Sequence, residues 1–190
     1  HDVVIVPIVQ KGAAEEVMEK ARRLEADLRA EGFNVRLDDS EDTPGNKFYR
    51  WDMLGVPARI EIGRREVEGK YVTLYRRDER TREIVKDEDL RDRLRSLARE
   101  IVENLRRRAW EKLRNSIADA KSREDVERLA KEGRIIRANF CGREECANEI
   151  KERTGYEVRG RRIDLEEKPS GNCAWCGRPA TRVVYLAKAY

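Results

Sequence analysis

Four cysteines carry the most specific chemistry in this sequence. Four residues separate Cys141 from Cys146, and two separate Cys173 from Cys176. A loop that short aims two thiolates at one ion, and two such pairs supply a closed tetrahedral set of four thiolates suited to zinc. Gly142 and Gly177 sit beside ligand cysteines, where a glycine lets the loop turn backbone N–H groups toward sulfur. Closed coordination leaves no position for water, so the site is structural rather than catalytic. Two other readings stay open on spacing alone: a thioredoxin-like couple at Cys173-Ala174-Trp175-Cys176, and four ordinary buried thiols.

A second constellation lies between Pro44 and Arg65. Lys47, Phe48, Arg50, Trp51, Asp52, Arg59, Arg64 and Arg65 gather cations, aromatics and a carboxylate in one short stretch. Single-stranded RNA recognition uses these parts. Aromatics stack on unpaired bases, guanidiniums hold phosphates, and a carboxylate accepts from both donors on the pairing edge of a guanine. The competing reading packs Phe48 and Trp51 on a sheet and leaves the arginines solvated, with Asp52 and Arg59 as a surface salt bridge. Other chemistry is excluded. His1 is the only histidine, which removes Ser-His-Asp, Cys-His and His-metal catalysis. Gly12, Gly32 and Gly45 are isolated, without dinucleotide or P-loop spacing. Arg106-Arg107-Arg108 reads as a solvated helix face. These residues alone propose no reaction.

Hydrophobic patterning supplies the elements that position them. Val3 to Val9 is a β-branched run typical of a strand covered on both faces, and Gln10-Lys11-Gly12 turns the chain. Val17, Ala21, Leu24 and Leu28 mark a helix from Ala13 to Glu31, and Phe33, Val35 and Leu37 alternate as a second strand. Strand, helix and strand form a right-handed βαβ unit. An acidic loop, Asp38 to Asp42, leads to a short helix from Asn46 to Leu54. A third strand follows from Val56 to Gly63: Ala58, Ile60 and Ile62 face one way, Arg59 and Glu61 the other, so that Arg59 projects from the sheet. Arg64 to Lys70 reads as a polar hairpin turn into a fourth strand, Tyr71 to Arg76. A charged helix begins near Asp87, and its pattern continues through Leu113 and Ile117. Composition shifts at Ser116 to Ser122, the expected domain boundary. Beyond it come a helix capped by Ser122 with Asp125 three residues on, a strand Ile135–Phe140, a helix Glu144–Arg153, a strand Tyr156–Leu165 and a strand Thr181–Ala187.

The chain of 190 residues has room for one large domain or two small ones. Charged residues reach 42%, yet 42 Lys+Arg against 38 Asp+Glu leave a net charge of only +4, so any nucleic-acid contact is a local patch. Such balanced, arginine-rich charge suits ion-pair networks and fits a thermophilic source. No apolar run approaches the roughly 18 residues of a membrane span. The first residues have neither a basic n-region nor a cleavage site, so they are no signal peptide. The cysteines fit a reducing compartment, and the expected location is the cytoplasm. A start at His1 rather than Met reads as a fragment of a longer chain.

Taken together, VVIVPI at 3–8, DDSEDTPGNKFYRWDMLGVPARIEIGRREVEGKYVTLYRRD at 38–78, FCGREEC at 140–146 and GNCAWCGRPATRVVYLAKAY at 171–190 resemble the carboxyl-terminal portion of prolyl-tRNA synthetases of the archaeal and eukaryotic type. Within the second string, the PG-KF…W…GVP-R-EIG pattern belongs broadly to class II synthetase anticodon-binding domains. The four-cysteine extension ending in tyrosine selects the prolyl type. The resemblance implies an α/β fold: an anticodon-binding domain over 1–115, with a mixed five-stranded sheet and flanking helices, then a small α/β zinc-binding domain over 116–190. It implies a part in ligating L-proline to tRNA(Pro) through an ATP-dependent prolyl-adenylate. The motifs for ATP, its magnesium and proline belong to a catalytic domain absent from this chain, which alone is expected to be non-catalytic. Implied partners are tRNA(Pro), that catalytic domain and a second copy in a homodimer, with no membrane and no DNA. By motif, Phe48 stacks near the anticodon, Asp52 accepts from a guanine edge, and Arg59 and Arg65 bond bases or phosphates. The family commonly has glutamate where Asp52 stands, so the shorter side chain needs a closer base or a water. Cys141, Cys146, Cys173 and Cys176 match the family's zinc ligands, and the Tyr190 carboxylate reaches toward the active-site region. The rival reading is a freestanding zinc-stabilised RNA-binding or scaffold protein without ligase activity.

Overall fold

A computed structural model of the protein describes residues 2–9 and 14–189. The expected turn at Gln10-Lys11-Gly12 and the Tyr190 carboxylate lie outside the described residues. The chain forms two units that divide between Arg107 and Arg108.

The first unit runs β1 (Val3–Pro7), α1 (Ala14–Ala30), β2 (Val35–Leu37), α2 (Pro44–Met53), β3 (Ala58–Ile62), α3 (Arg64–Glu68), β4 (Tyr71–Arg76), β5 (Thr81–Lys86) and into α4 (Leu90–Ser116). Its five strands are ordered β2-β1-β3-β4-β5. β1 pairs in parallel with both β2 and β3, whereas β4 runs antiparallel to β3 and β5. A sheet with helices on both sides needs apolar residues on both, and all five residues of β1 are buried. Val3, Ile5, Ala58, Ile60, Ile62, Val72 and Leu74 pack against Val17, Ala21 and Leu28 of α1 and Leu90, Leu94, Leu97 and Ile101 of α4. On the other face Val4 and Val6 meet Trp51, Val56 and half-buried Phe48. The buried face of α4 ends at Ile101 and Asn104, and the units part within this helix, upstream of the composition shift at Ser116.

The second unit continues with β6 (Ile117–Ala120), α5 (Arg123–Lys131), β7 (Ile135–Phe140), α6 (Glu144–Thr154), β8 (Tyr156–Gly160) and β9 (Arg182–Lys188). Its strands are ordered β6-β7-β9-β8. Ser122 caps α5, its Oγ accepting from the Asp125 N–H at 3.2 Å. Val126 and Leu129 of α5 and Ile150 of α6 cover Ile136, Ala138, Val184 and Leu186.

Several elements differ from the sequence reading. Residues 64–68 form a helix rather than part of a hairpin turn, because Glu66 reaches back to accept from the Gly63 N–H at 2.9 Å and from Thr73 Oγ1 at 3.0 Å. Ile117 opens a strand instead of extending the helix, pairing in parallel with Ile135. β8 stops at Gly160, short of Leu165, where its pairing with β9 is interrupted by a bulge between Val158 and Gly160.

Two buried aspartates fasten helices to the first sheet. Asp38 accepts from Ser40 Oγ at 2.7 Å, Arg50 Nη2 at 2.6 Å and Trp51 Nε1 at 2.6 Å, holding the acidic loop on α2. Burial alone raises this carboxyl, but the bonds from Ser40, Trp51 and Arg50 outweigh it and bring its pKa down to about 2. Asp78 accepts from Arg76 Nη2 at 2.9 Å and from Asn104 Nδ2 of α4 at 2.6 Å. Those bonds, the Arg76 one foremost, outweigh burial and bring it also to about 2. A carboxyl whose folded pKa lies below its unfolded value stabilises the fold above the unfolded value, and that stability is lost as pH falls. Urea unfolding of the first unit should therefore weaken between about pH 4 and pH 2, by roughly 2 kcal/mol for each aspartate. Asp38→Asn should be less stable at pH 6 and show a flatter acid profile, with Trp51 fluorescence as the probe.

Candidate nucleic-acid interface and metal centre

All five residues of β3 are buried, Arg59 and Glu61 included. A guanidinium in that position must have its charge, its donors and its flat faces all engaged. Arg59 Nε and Nη2 donate to Glu61 Oε1 at 3.1 and 2.9 Å, and Nη1 donates to Asp52 Oδ1 at 3.1 Å. The Phe48 and Tyr75 rings cover it, each with its centroid 4.0 Å from the guanidinium carbon. Sheet register brings these groups together. Arg59 is opposite Tyr75 on β4, and Tyr75 is opposite Arg82 on β5. Arg82 Nε donates to both Glu61 oxygens at 3.1 Å. The Tyr75 hydroxyl donates to Asp52 Oδ2 at 3.4 Å; burial, then the Asp52 carboxylate, push its phenol pKa up.

The sequence-predicted residues separate into groups. Phe48, Asp52 and Arg59 converge. Arg59 does not project from the sheet, because Phe48 and Tyr75 close over it and leave its side chain 4% exposed. The Asp52–Arg59 salt bridge exists, but it has one buried partner rather than two surface ones, with Asp52 40% exposed. Arg65 is exposed on α3, apart from the cluster, and pairs with no acid among the described residues. Lys47 is buried with its Nζ on the Asp38 carbonyl at 3.0 Å, and Arg64 pairs with Glu68 at 2.7 Å. The sequence reading missed the part played by Glu61, Tyr75 and Arg82. Arg82 shares a face with Tyr75 by register, and Thr81–Lys86 carries too little apolar patterning to announce that strand.

In the second unit the four cysteine sulfurs lie within 4.8 Å of one another. Cys146 Sγ is 3.8 Å from Cys173 Sγ, and Cys141 Sγ is 3.7 Å from Cys176 Sγ. Tetrahedral thiolates about 2.3 Å from a central ion stand roughly 3.8 Å apart, so these spacings fit a metal. They are far too long for disulfides, and convergence of both pairs argues against a separate thioredoxin-like couple. Gly142 takes φ +84° and Gly177 φ +70°, in the left-handed region that glycine favours. At Gly142 a Cβ would also lie 3.0 Å from Arg182 Nη2 and from Thr181 Oγ1. Without a cation, burial pushes the Cys146 thiol far up and the Cys176 thiol to about 11. Burial acts on Cys173 in the same direction, but backbone N–H bonds, led by that of Cys176, outweigh it and lower this thiol.

The fold and this cluster define a class. Residues 2–97 match the family of anticodon binding domains, so the first unit is an anticodon-binding domain. Residues 123–190 match the prolyl-tRNA synthetase C-terminal family. The chain is 49% identical over 191 aligned residues to the proline–tRNA ligase of Thermofilum pendens, covering 99% of this chain and 40% of that protein. It is 42% identical to that of Methanothermobacter thermautotrophicus, covering 95% and 37%, and 38% identical to that of Pyrococcus abyssi, covering 99% and 40%. The chain belongs to the prolyl-tRNA synthetase family, within its C-terminal anticodon-binding region, and spans about two fifths of the length of these curated relatives.

Arg59 makes a direct stability test. Arg59→Ala should cost roughly 3 kcal/mol in urea unfolding, the low end for breaking a buried pair, since Arg82 still partners Glu61. Asp52→Ala should cost less than that, because Asp52 is 40% exposed and Glu61 still neutralises Arg59.

Proposed function

We propose that this chain is the RNA-reading and metal-stabilised C-terminal portion of a proline–tRNA ligase, and that its first unit binds the anticodon of tRNA(Pro). The observation that carries the reading is the Phe48–Arg59–Tyr75 stack, with Asp52 and Arg82 held at its rim, inside the region matched as an anticodon-binding domain. Asp52 presents an oriented acceptor to the pairing edge of a guanine. Arg82, 49% exposed, presents a half-free guanidinium to a base or phosphate. Arg59 acts through them: it is buried, all three of its nitrogens donate to carboxylates and both faces are covered, so it positions Phe48 and Asp52. Arg65 contacts phosphate from the neighbouring helix. Activation of proline with ATP and magnesium, and transfer to the tRNA, fall to the part of the enzyme outside this chain. The whole enzyme works as a cytoplasmic homodimer with the catalytic domain as this portion's partner.

The metal is zinc, held by Cys141, Cys146, Cys173 and Cys176. Four thiolates favour a soft or borderline ion, and a complete set gives structural support without an open position. No observation favours the freestanding scaffold over this reading.

Filter binding with prolyl tRNA tests the RNA assignment. Asp52→Ala should weaken the cognate tRNA by roughly 1–3 kcal/mol, the range for one base contact, and hardly affect a tRNA whose anticodon guanines are replaced. Arg65→Ala should weaken both alike and flatten the salt dependence. Equal small losses for both variants on both tRNAs would reduce the cluster to a structural ion pair.

Metal analysis of the chain purified under reducing conditions should find about one zinc per chain. Cys173→Ser should unfold the second unit, seen as loss of its protected amides, while the first unit keeps its own urea transition. A stable second unit with four freely titrating thiols would defeat the zinc assignment.

A further inference from the structure

Trp175 lies between two of the metal-site cysteines, Cys173 and Cys176, and is only 5% exposed. Its indole N–H finds no acceptor among the described residues. A buried donor without a partner costs free energy, so hydrogen bonding does not choose this ring's position. The Arg123 guanidinium lies 4.4 Å from the ring centroid, within range for a cation–π stack. Arg123 is held in turn by two carboxylates. Nε pairs with Glu127 at 3.4 Å on its own helix, and Nη2 pairs with Glu149 at 3.1 Å on α6.

α6 carries Cys146, and Glu149 follows it by three residues, about one helical turn. A continuous run of contacts therefore leads from Cys146 along α6 to Glu149, across to Arg123, onto Trp175 and so to Cys173 and Cys176. It joins the two cysteine pairs without passing through the metal position. Backbone bonds shape the second loop locally, with Gly177 N–H donating to Cys173 O at 3.0 Å and Cys173 N–H to Arg178 O at 2.7 Å. Local shape alone does not set where that loop stands relative to α6.

We propose that Arg123 is a positioning residue for the metal centre: by stacking on Trp175 while pairing with Glu149, it holds the two cysteine pairs in register and so raises metal affinity. The proposal rests on the metal-binding reading of the four cysteines. A planar guanidinium can lie on a ring and still donate sideways to a carboxylate, whereas an ammonium is a point charge that cannot do both in this geometry.

The test is competition for Zn²⁺ between the chain and a chromophoric chelator, repeated with Co²⁺, whose visible absorption reports tetrahedral thiolate ligation. Arg123→Ala should lower affinity roughly 10–100-fold, the usual effect of losing an outer partner of a metal ligand. Arg123→Lys should stay closer to the alanine variant than to wild type. Glu149→Gln, a gentler change for use should Arg123→Ala fail to fold, should shift affinity in the same direction by less. Arg128→Ala removes pairs to Asp125 and Glu132 on the same helix without touching Trp175, and should leave affinity unchanged. Wild-type affinity in Arg123→Ala, or an equal loss in Arg128→Ala, overturns the proposal while the metal reading stands. Failure of the wild-type chain to bind either ion overturns both.

Discussion

A buried guanidinium is tolerated only where its charge, its donors and its faces all find partners, and Arg59 imposes that condition on the first unit. Glu61 must follow two residues later on the same strand to supply the counter-charge. Tyr75 must stand opposite on β4, and α2 must end close enough for Phe48 to cover the other face and Asp52 to reach Nη1. The pairing of β3 with β4 and the approach of the end of α2 both meet at that one side chain. The solvent-facing result is an oriented carboxylate and a ring edge, held without flexible side-chain freedom. Such a carboxylate is preorganised, and any ligand it accepts from avoids the cost of ordering it, since ordering left for the bound state subtracts from affinity.

The second unit meets a different constraint. Its apolar core contains Cys141, Cys146 and Cys173 themselves, so the cysteine cluster is part of the packing rather than an attachment to it. Between β8 and β9 the chain has no regular strand, only an isolated bridge of Asn172 to Pro179. That long connection is fastened by polar contacts, Arg137 pairing with Glu167 at 2.6 Å and with Asp119 at 2.8 Å. A small sheet with two helices buries limited area, and an ion held by the four cysteines would cross-link its longest loop and offset the chain entropy of ordering it.

How much of this could be read from sequence depended on where periodicity was undisturbed. β1, α1, β4, β7 and α6 follow from runs and spacings in which apolar residues decide the face. β5 was not legible because Thr81–Lys86 buries only Val85 fully, and its remaining positions are charged, polar or exposed. β6 is four residues long with one buried side chain. Missing β5 hid Arg82, and missing the Arg59–Tyr75–Arg82 register made Arg59 look free to leave the sheet. A strand with alternating charges normally shows its polar side to water; here aromatic rings and a second arginine close that side. The cysteine centre was legible for the opposite reason. Its geometry is set by short loops whose spacing is written directly in the chain, so tertiary context had little to override.

The same distinction bears on which charges are free in a chain with so many cations. Most of its guanidiniums already serve carboxylates: Arg50 reaches Asp38 and Asp42 at 2.6 Å each, and Arg93 joins Glu83 at 2.8 Å to Glu100 at 2.7 Å. A phosphate approaching such a group must compete with a carboxylate already in place, and it gains little because the charge is largely neutralised. Counting lysines and arginines therefore overstates the electrostatic footprint. Near the Asp52 rim stand Arg82, half-exposed, and exposed Arg80, whose charge acts on Tyr75, while Arg65, with no acid partner among the described residues, lies apart on the helix that follows β3. Phosphate contacts position a nucleic acid without reading its sequence, so discrimination between sequences rests on groups that face bases rather than on a count of cations.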